Sequence, residues 1–343
     1  MKKPVKITLI ILGILLAILL VPPVFMPSSY TASSSIVVES TPYNVYPYFA
    51  DLKNWEKWSP WREKDTSTRY IYSENSYGAG STMEWDSKND ELGSGKITTV
   101  QFKKFHHINY QLDFIKPFES KSGGTISVEK MNDKQSKVTW TNTGKLSWPI
   151  SRWMGALADI EAMLEKDFNH GLEKMKTLVE SNPQRVLPSI KPVEMELPEQ
   201  LIFSVMHETV LNTEISAKMG ESYGAIIAAI AKTGVKPVEA PPVCLIYAHN
   251  NKTTKMRPGL VVEGCGVMPN GIECIPIRKG KVLQITYMGD YNKMQSTYDA
   301  INMYIEENKI SKRENYTWES YVTDPGMETD TAKWLTYIYV PVK

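Results

Sequence analysis

The arrangement of apolar and polar positions first predicts a helix that crosses a membrane. Residues 7–26 carry no charge and are mostly Ile, Leu, Ala and Val. Twenty helical residues span roughly 30 Å, the thickness of the hydrocarbon core of a bilayer. Lys2, Lys3 and Lys6 precede this run, which favours an N-terminus in the cytoplasm and the rest of the chain outside. The alternative is a cleaved signal peptide, although no good A-x-A cleavage site follows.

Beyond this run, the pattern changes to that of strands and then of a helix. Short runs rich in β-branched and aromatic residues, separated by Gly, Asn, Asp and Ser, predict strands at residues 70–73, 82–85, 95–102, 107–114, 125–130 and 137–143. From Met154 to Val179, apolar residues recur every three or four positions. We therefore expect an antiparallel sheet covered by one long helix.

Residues 35–181 resemble the START-like superfamily that includes polyketide cyclases and lipid-transfer domains, also abbreviated SRPBCC. The resemblance depends on the strand at 35–39, on TPYNVYPYFADLKNWEKWSPW at 41–61 and on ADIEAMLEKDFNHGLEKMKTLVES at 158–181. Residues of the superfamily's W..WsPW segment are present as Trp55, Trp58, Pro60 and Trp61. The resemblance implies a helix-grip fold, with an apolar cavity between sheet and helix, but no particular reaction.

The chain then divides into further segments. Residues 182–198 contain four prolines and no sustained period, which predicts a linker. After it, strands alternate with helices at 216–232 and 294–308, which suggests two similar halves. The predicted organisation is an N-terminal membrane anchor at 1–30, a START-like domain at 31–181, the linker at 182–198 and a second domain at 199–343.

The second domain resembles the GyrI-like effector-binding domain. Four motifs occur in the family's order: PPVCLIYAHN at 241–250, YMGDYNKMQSTYDAINMYIEENK at 287–309, YTWESYVTDP at 316–325 and TYIYVPV at 336–342. The family implies a pseudo-twofold α+β module that binds small, frequently aromatic or cationic molecules in a cleft between its halves. The predicted fold class is therefore α+β, with a helix-grip domain, a pseudo-twofold GyrI-like domain and one N-terminal transmembrane helix.

Glu319 is the main candidate for a ligand-binding residue. The resemblance places it at the cleft glutamate of multidrug-sensing relatives, and strand alternation places Tyr321 on the same face. A carboxylate among aromatic rings attracts a cation by charge and by cation-π contacts. The alternative is an exposed strand carboxylate. Further cleft candidates, each of which could instead be a core aromatic with a satisfied hydroxyl, are Tyr247, Tyr287, Tyr298 and Tyr337.

Several classes of function lack support. The 39 basic residues nearly balance the 38 acidic ones, so no strong field favours nucleic acid as a partner. Three cysteines without a CxxC pair indicate no zinc site, and we expect neither a metal nor a cofactor. Cys265 and Cys274 either form a disulfide or remain unpaired thiols, of which we favour the thiols. The family often has Glu where Tyr337 stands, which leaves any acid-base pair in doubt.

The sequence thus predicts a membrane-tethered sensor or carrier of small hydrophobic molecules, cationic aromatic ones among them. Its location is predicted as the bacterial inner (cytoplasmic) membrane, crossed once, with both C-terminal domains extracytoplasmic. The alternative is an extracytoplasmic hydrolase of a hydrophobic toxin or metabolite that uses Glu319, with Tyr247 as a proton donor. A third is a structural or partner-binding protein. No catalytic residue and no protein partner can be named from the sequence.

Overall fold

The structure is a computed structural model that describes residues 3–249 and 252–343. It divides the chain into two compact units, of which the first ends at Arg185 and the second begins at Val186. Each unit contains one antiparallel sheet together with helices. The predicted α+β class is confirmed.

The chain begins with a helix that is mostly exposed. Helix α1 covers Lys3–Leu20, and the short helix α2 covers Pro22–Phe25. The span Ile7–Phe25 has a mean hydropathy of 2.8, and only 6% of it is buried. By length and composition it is therefore able to cross a membrane, a property that it would share with a signal sequence.

Seven strands form the sheet of the first unit: β1 (Ser29–Val38), β2 (Arg69–Tyr72), β3 (Thr82–Asp86), β4 (Ser94–Lys103), β5 (His107–Lys116), β6 (Ser120–Lys130) and β7 (Ser136–Lys145). Their order across the sheet is β1-β7-β6-β5-β4-β3-β2. The helices of this unit beyond α2 are α3 (Pro42–Ala50), α4 (Trp55–Trp58), α5 (Trp61–Lys64), α6 (Ile150–Ala158) and α7 (Ile160–Ser181). This is the strand, short helices, meander and long helix that the START-like resemblance implies.

Helix α7 packs along β1 and buries one face. That face is formed by residues three or four apart: Phe168, Leu172, Met175 and Val179. The single helix predicted from Met154 is wrong, since the chain breaks between α6 and α7. Asp159 has a φ of 43°, and its carboxylate accepts a hydrogen bond from the Ala162 amide at 3.2 Å. Asp tolerates this left-handed conformation better than most residues, so it ends α6 and caps α7.

The centre of the first unit is a cluster of aromatic rings that we call the tryptophan core: Trp55, Trp58, Tyr110, Trp140 and Phe168. Trp140 stacks on Phe168 with 4.3 Å between ring centroids, and Trp58 lies edge-on to Trp140 at 5.2 Å. The indole nitrogens of Trp55 and Trp58 each donate to a backbone carbonyl at 2.8 Å. These rings are buried core residues, and their polar nitrogens are satisfied within the protein.

Nine strands form the sheet of the second unit: β8 (Val193–Leu197), β9 (Gln200–Val205), β10 (Glu208–Leu211), β11 (Val243–His249), β12 (Thr253–Val262), β13 (Ile272–Ile277), β14 (Gly280–Met288), β15 (Thr317–Tyr321) and β16 (Leu335–Pro341). Two long helices accompany them, α8 (Ile215–Thr233) and α9 (Gln295–Glu307). The strand order is β13-β9-β12-β11-β15-β16-β14-β8, with β10 beside β12. The order β9-β12-β11 is mirrored by β14-β16-β15, which gives the pseudo-twofold arrangement.

The structure differs from the sequence prediction at two further places. Residues 193–197, near the end of the predicted linker, form strand β8, which pairs with β14. Val193, Met195 and Leu197 alternate there with two glutamates, and this alternation of apolar and polar residues is typical of a strand. Cys265 and Cys274 form a disulfide with 5.5 Å between their Cα atoms. The preference for unpaired thiols is therefore wrong at both positions.

Candidate ligand-binding cleft

Glu319 lies in the middle of the second sheet, on the face that α8 and α9 cover. Within β15 it is paired with Cys244 of β11 on one side and with Ile338 of β16 on the other. Residues directly opposite one another in antiparallel strands share a face of the sheet. Cys244 packs with residues of the α8 side and Ile338 with residues of α9. The carboxylate is therefore buried where the two halves of the domain meet.

Two tyrosine hydroxyls bind the carboxylate directly. The hydroxyl of Tyr298, on α9, donates to Oε1 of Glu319, and the hydroxyl of Tyr321 donates to Oε2. Tyr298 is on a helix and Tyr321 is on the same strand as Glu319, two residues further on. Each carboxylate oxygen thus has a neutral donor.

Burial determines the electrostatics of this group. It raises the pKa of Glu319, and the two tyrosine hydroxyls offset only part of that rise. Burial also raises the pKa values of Tyr298 and Tyr321 well above the ordinary range, and the charge of Glu319 adds to both shifts. Within residues 3–249 and 252–343, no Lys, Arg or His contributes to the pKa of Glu319. The site is therefore acidic and buried, and none of the described residues supplies a cation to it.

Further rings and hydroxyls surround the carboxylate. The ring centroids of Tyr291 and Tyr321 are 5.4 Å apart, and those of Tyr291 and Trp334 are 4.8 Å apart. Tyr223 of α8 donates its hydroxyl to the carbonyl of Val243 at 2.9 Å. The charge of Glu319 contributes to the raised pKa of Tyr223 and of Tyr291 after burial, the main cause. Aromatic side chains from both helical sides therefore line the site.

Two hydroxyls at this site are buried without a hydrogen bond. They belong to Tyr291 and to Thr336, which lie close enough for Thr336 to lower the pKa of Tyr291, but among the described residues neither hydroxyl meets a partner in good hydrogen-bond geometry. Thr336 is paired with Tyr321 and so shares the face of Glu319. Buried polar groups are normally paired, so we expect these two hydroxyls to pair with each other or with a ligand's polar group. We call Glu319, Tyr298, Tyr321, Tyr291, Tyr223 and Thr336 the Glu319 cleft.

Three of the predicted cleft tyrosines lie elsewhere. Tyr247 packs on the opposite face of the sheet with the cluster that contains Trp318. Tyr337 is adjacent to Ile338, so alternation turns it to that opposite face, where its ring lies 6.3 Å from Tyr339. Tyr287 is in the core under α9, and its hydroxyl donates to the Asp290 carbonyl at 2.6 Å. The predicted pair of Glu319 with Tyr247 is not formed.

Sequence reasoning missed four members or neighbours of the site. Tyr223 lies three residues before Ile226, which is buried, and this helical spacing is the signal from which both could have been placed on the face toward the sheet. The positions of Cys244, Tyr291 and Thr336 depend on strand pairing and on a loop. Neither can be read from a single sequence. Among the described residues, no group of three or more His, Cys, Asp or Glu side chains is arranged to hold a metal ion.

Comparison with known families agrees with this architecture. Residues 30–180 match the family model described as polyketide cyclase / dehydrase and lipid transport, and residues 191–343 match that of the GyrI-like small molecule binding domain. Both resemblances, and their order, are confirmed. The chain therefore combines a START-like and a GyrI-like domain, and the two together indicate small-molecule binding.

Three solved structures are among those similar to part of this chain. EcmrR in a complex with DNA is 20% identical, with a TM-score of 0.41 over 56% of this chain and 70% of that chain. CV1439 from Chromobacterium violaceum is 17% identical and has a TM-score of 0.34. The match covers 46% of this chain and 100% of CV1439. SAV2435 bound to tetraphenylphosphonium is 16% identical and has a TM-score of 0.34. The match covers 45% of this chain and 94% of SAV2435. Comparison with curated proteins returns no significant match.

Proposed function

We propose that this chain is a membrane-tethered small-molecule binding protein, a sensor or carrier whose Glu319 cleft binds hydrophobic molecules and prefers cationic aromatic ones. The observation that supports this best is a buried carboxylate with two tyrosine donors and no protein cation among the described residues. A buried carboxylate without a positive partner is unfavourable and gains from one. Aromatic rings around it add cation-π attraction.

The membrane tether is supported by separate observations. The span Ile7–Phe25 is long and apolar enough to cross a bilayer, and three lysines precede it. The disulfide between Cys265 and Cys274 fits an oxidising compartment. A periplasmically active reporter fused after Lys343 should therefore be active and remain with the membrane fraction. Activity of a cytoplasmic reporter alone would contradict the orientation, and release into the soluble fraction would indicate a cleaved signal sequence.

Hydrolysis is the second candidate function, because a buried carboxyl group beside two hydroxyl donors is an acid-base arrangement. The donors are Tyr298 and Tyr321 rather than the predicted Tyr247. Burial raises the pKa of Glu319, as a general acid near neutral pH requires. Slow turnover of a bound ligand that disappears in Glu319→Gln, while binding persists, would favour this alternative.

The test of the binding function compares one cation with a neutral molecule of nearly the same size. Crystal violet is a cationic triarylmethane, and its leuco form is neutral near pH 7. Glu319→Gln retains the shape of the side chain and removes its charge, so the affinity for crystal violet should fall by about 1–3 kcal/mol. The affinity for the leuco form should change little. Isothermal titration of the full chain in detergent measures both.

Glu263→Gln is the matched control, since Glu263 is an exposed carboxylate of the same domain. It should leave both affinities unchanged. Equal losses for the cation and the leuco form in Glu319→Gln would mean that Glu319 supports the fold rather than the ligand's charge.

A further inference from the structure

One end of the first domain presents an apolar surface that the cleft does not explain. Strand β1 begins at Ser29, shortly after α2, and Ser29 is paired with Lys145 at the end of β7. The pairing of β6 with β7 and of β5 with β6 places the turn between β5 and β6 at this same end. Helix α6 follows β7 closely. The end of α1, helix α6 and this turn therefore lie together, and we call them the membrane-proximal end.

Helix α6 has an apolar face but no core of its own. None of its residues is buried. Ile150, Met154 and Leu157 are spaced four and three apart, so they share one face, and Leu157 is 79% exposed. Soluble surfaces rarely present such contiguous apolar area without a partner.

Three side chains, two from α6 and one from just before it, hydrogen-bond to carbonyls of α1 and α2. The indole nitrogens of Trp153 and Trp148 donate to the carbonyls of Leu19 and Leu20 at 3.0 and 3.1 Å. Arg152 donates to the carbonyl of Pro23 at 2.9 Å. The last carbonyls of a helix have no partner within it, and the two tryptophan bonds satisfy those of Leu19 and Leu20. Helix α6 is thereby held beside the point at which α1 would leave the bilayer.

An apolar groove of about 700 Å³ separates the two helices. Its lining includes Leu15, Ile18 and Leu19 of α1 and Ile150, Met154 and Leu157 of α6. Leu15 is five residues before the end of α1, which is roughly 7 Å along the helix axis. A bilayer that contains α1 to its last turn therefore reaches the apolar face of α6, at the depth typical of interfacial helices.

The turn between β5 and β6 adds a second apolar contact at the same end. Phe118 is 69% exposed and Ile115 is 57% exposed. Lys116 and Lys145 are exposed near them. Aromatic residues and lysines are typical of the interface between hydrocarbon and lipid headgroups, where the lysine ammonium stays in water.

We propose that α6 and the turn between β5 and β6 bind the surface of the bilayer that α1 crosses, with Leu157 and Phe118 inserted among the lipids. This surface seats the START-like domain on the membrane at two points besides the anchor. Acyl chains of surrounding lipid fill the groove between α1 and α6. The proposal rests on the membrane anchor of the proposed function and does not depend on the Glu319 cleft.

The test uses the full chain in phosphatidylcholine nanodiscs with one fluorescent NBD label per variant. Leu157→Cys and Phe118→Cys report on the proposed surface, and Ile14→Cys reports on the middle of α1. Met131→Cys is the matched control, because Met131 is 55% exposed at the turn after β6, at the opposite end of the sheet. Cys244 is buried and the other two cysteines are bonded, so the introduced thiol is the one labelled.

A nitroxide attached to the lipid acyl chain should quench labels at positions 14, 118 and 157 at least twofold more than the label at 131. Quenching at 14 alone would overturn this inference and leave the anchor intact. An unquenched label at 14 would overturn the anchor and the inference together. If labels at 118 and 157 were shielded from both the lipid nitroxide and aqueous iodide, a protein would cover this surface, which also overturns the proposal.

Discussion

The tryptophan core of the first domain and the Glu319 cleft of the second are both buried aromatic clusters, but their polar atoms are satisfied differently. In the tryptophan core, Trp140 donates to the Tyr110 hydroxyl at 2.9 Å, and that hydroxyl donates to the Thr141 carbonyl at 3.2 Å. Every polar side-chain atom of that cluster has a neutral partner. In the cleft, a carboxyl group is buried and two hydroxyls are unpaired within the described residues.

This difference shows that aromatic rings alone do not identify a binding site. Burial raises the pKa of Tyr110 as it raises that of Tyr298, yet only Tyr298 contacts an ionisable carboxyl. A polar group that the protein leaves incompletely satisfied costs stability, and that cost is recovered when a ligand binds. The cleft is therefore the site at which we expect ligand binding to change stability.

The largest effect is expected from cutting the chain between the two regions. Residues 186–192 have no regular structure, and Val186 is 87% exposed. Residues 182–185 are held by bonds such as that from Asn44 to the Arg185 carbonyl at 3.1 Å. Limited subtilisin digestion should therefore cut first within 186–192 and leave two stable fragments. One resistant body of full length would contradict the domain boundary.

A large effect on stability is expected at the tryptophan core. Trp140→Ala removes a ring that packs against four others, so the free energy of unfolding of the first domain should fall by about 3–5 kcal/mol. Crystal violet binding in the second domain should be unchanged. Denaturant titration followed by circular dichroism measures the first effect. Trp148→Ala, at an exposed position, is the control and should cost about 1 kcal/mol or less.

A smaller effect is expected from one cleft hydroxyl. Tyr298→Phe removes a donor to Glu319, which raises the carboxyl pKa further and leaves less of the ionised form at neutral pH. Crystal violet affinity should fall by about 0.5–1.5 kcal/mol in a titration at pH 7. Tyr337→Phe alters the same group on the opposite face and should have no effect. Equal losses in the two variants would argue against the placement of the cleft.

The smallest effect concerns the unpaired hydroxyls. Thr336→Val replaces a buried hydroxyl that lacks a partner among the described residues with a methyl group, so the ligand-free domain should gain about 1 kcal/mol or less of stability. Thr99, in the first domain, is similarly buried and unpaired in the described part. Thr99→Val should give a similar gain without any change in ligand affinity. Thermal unfolding of both variants, with and without crystal violet, measures these changes. A loss of stability in Thr336→Val would show that the Thr336 hydroxyl is already satisfied.

Local pattern was sufficient to predict part of the cleft. Strand alternation placed Glu319 and Tyr321 on one face, and their hydrogen bond agrees with that placement. The helical period predicted α8 and α9 nearly to their ends. Tyr298, in the motif at 287–309, was one of four further cleft candidates, and it is the one that contacts Glu319. These features depend on residues close together in the chain or on a family pattern.

The register between neighbouring strands and the left-handed backbone conformation of Asp159 could not be predicted from local sequence patterns. Tyr337 faces away from Glu319 because its neighbour Ile338 is the residue paired with Glu319. A one-residue change of register would exchange them, and no local feature of the sequence fixes that register. Asp159 breaks the predicted helix through a left-handed conformation that an Asp permits but does not require.

The pH dependence of cation binding tests the central claim most directly. The pKa of Glu319 is raised in the free protein, and a bound cation lowers it, so binding the cation releases a proton. Between these two pKa values, crystal violet affinity should rise with pH by up to about tenfold per unit and then level off. Titrations at increasing pH, starting at the ordinary pKa of a glutamate, should show this rise in the wild-type chain and a flat profile in Glu319→Gln. The same pH dependence in both proteins would contradict the account.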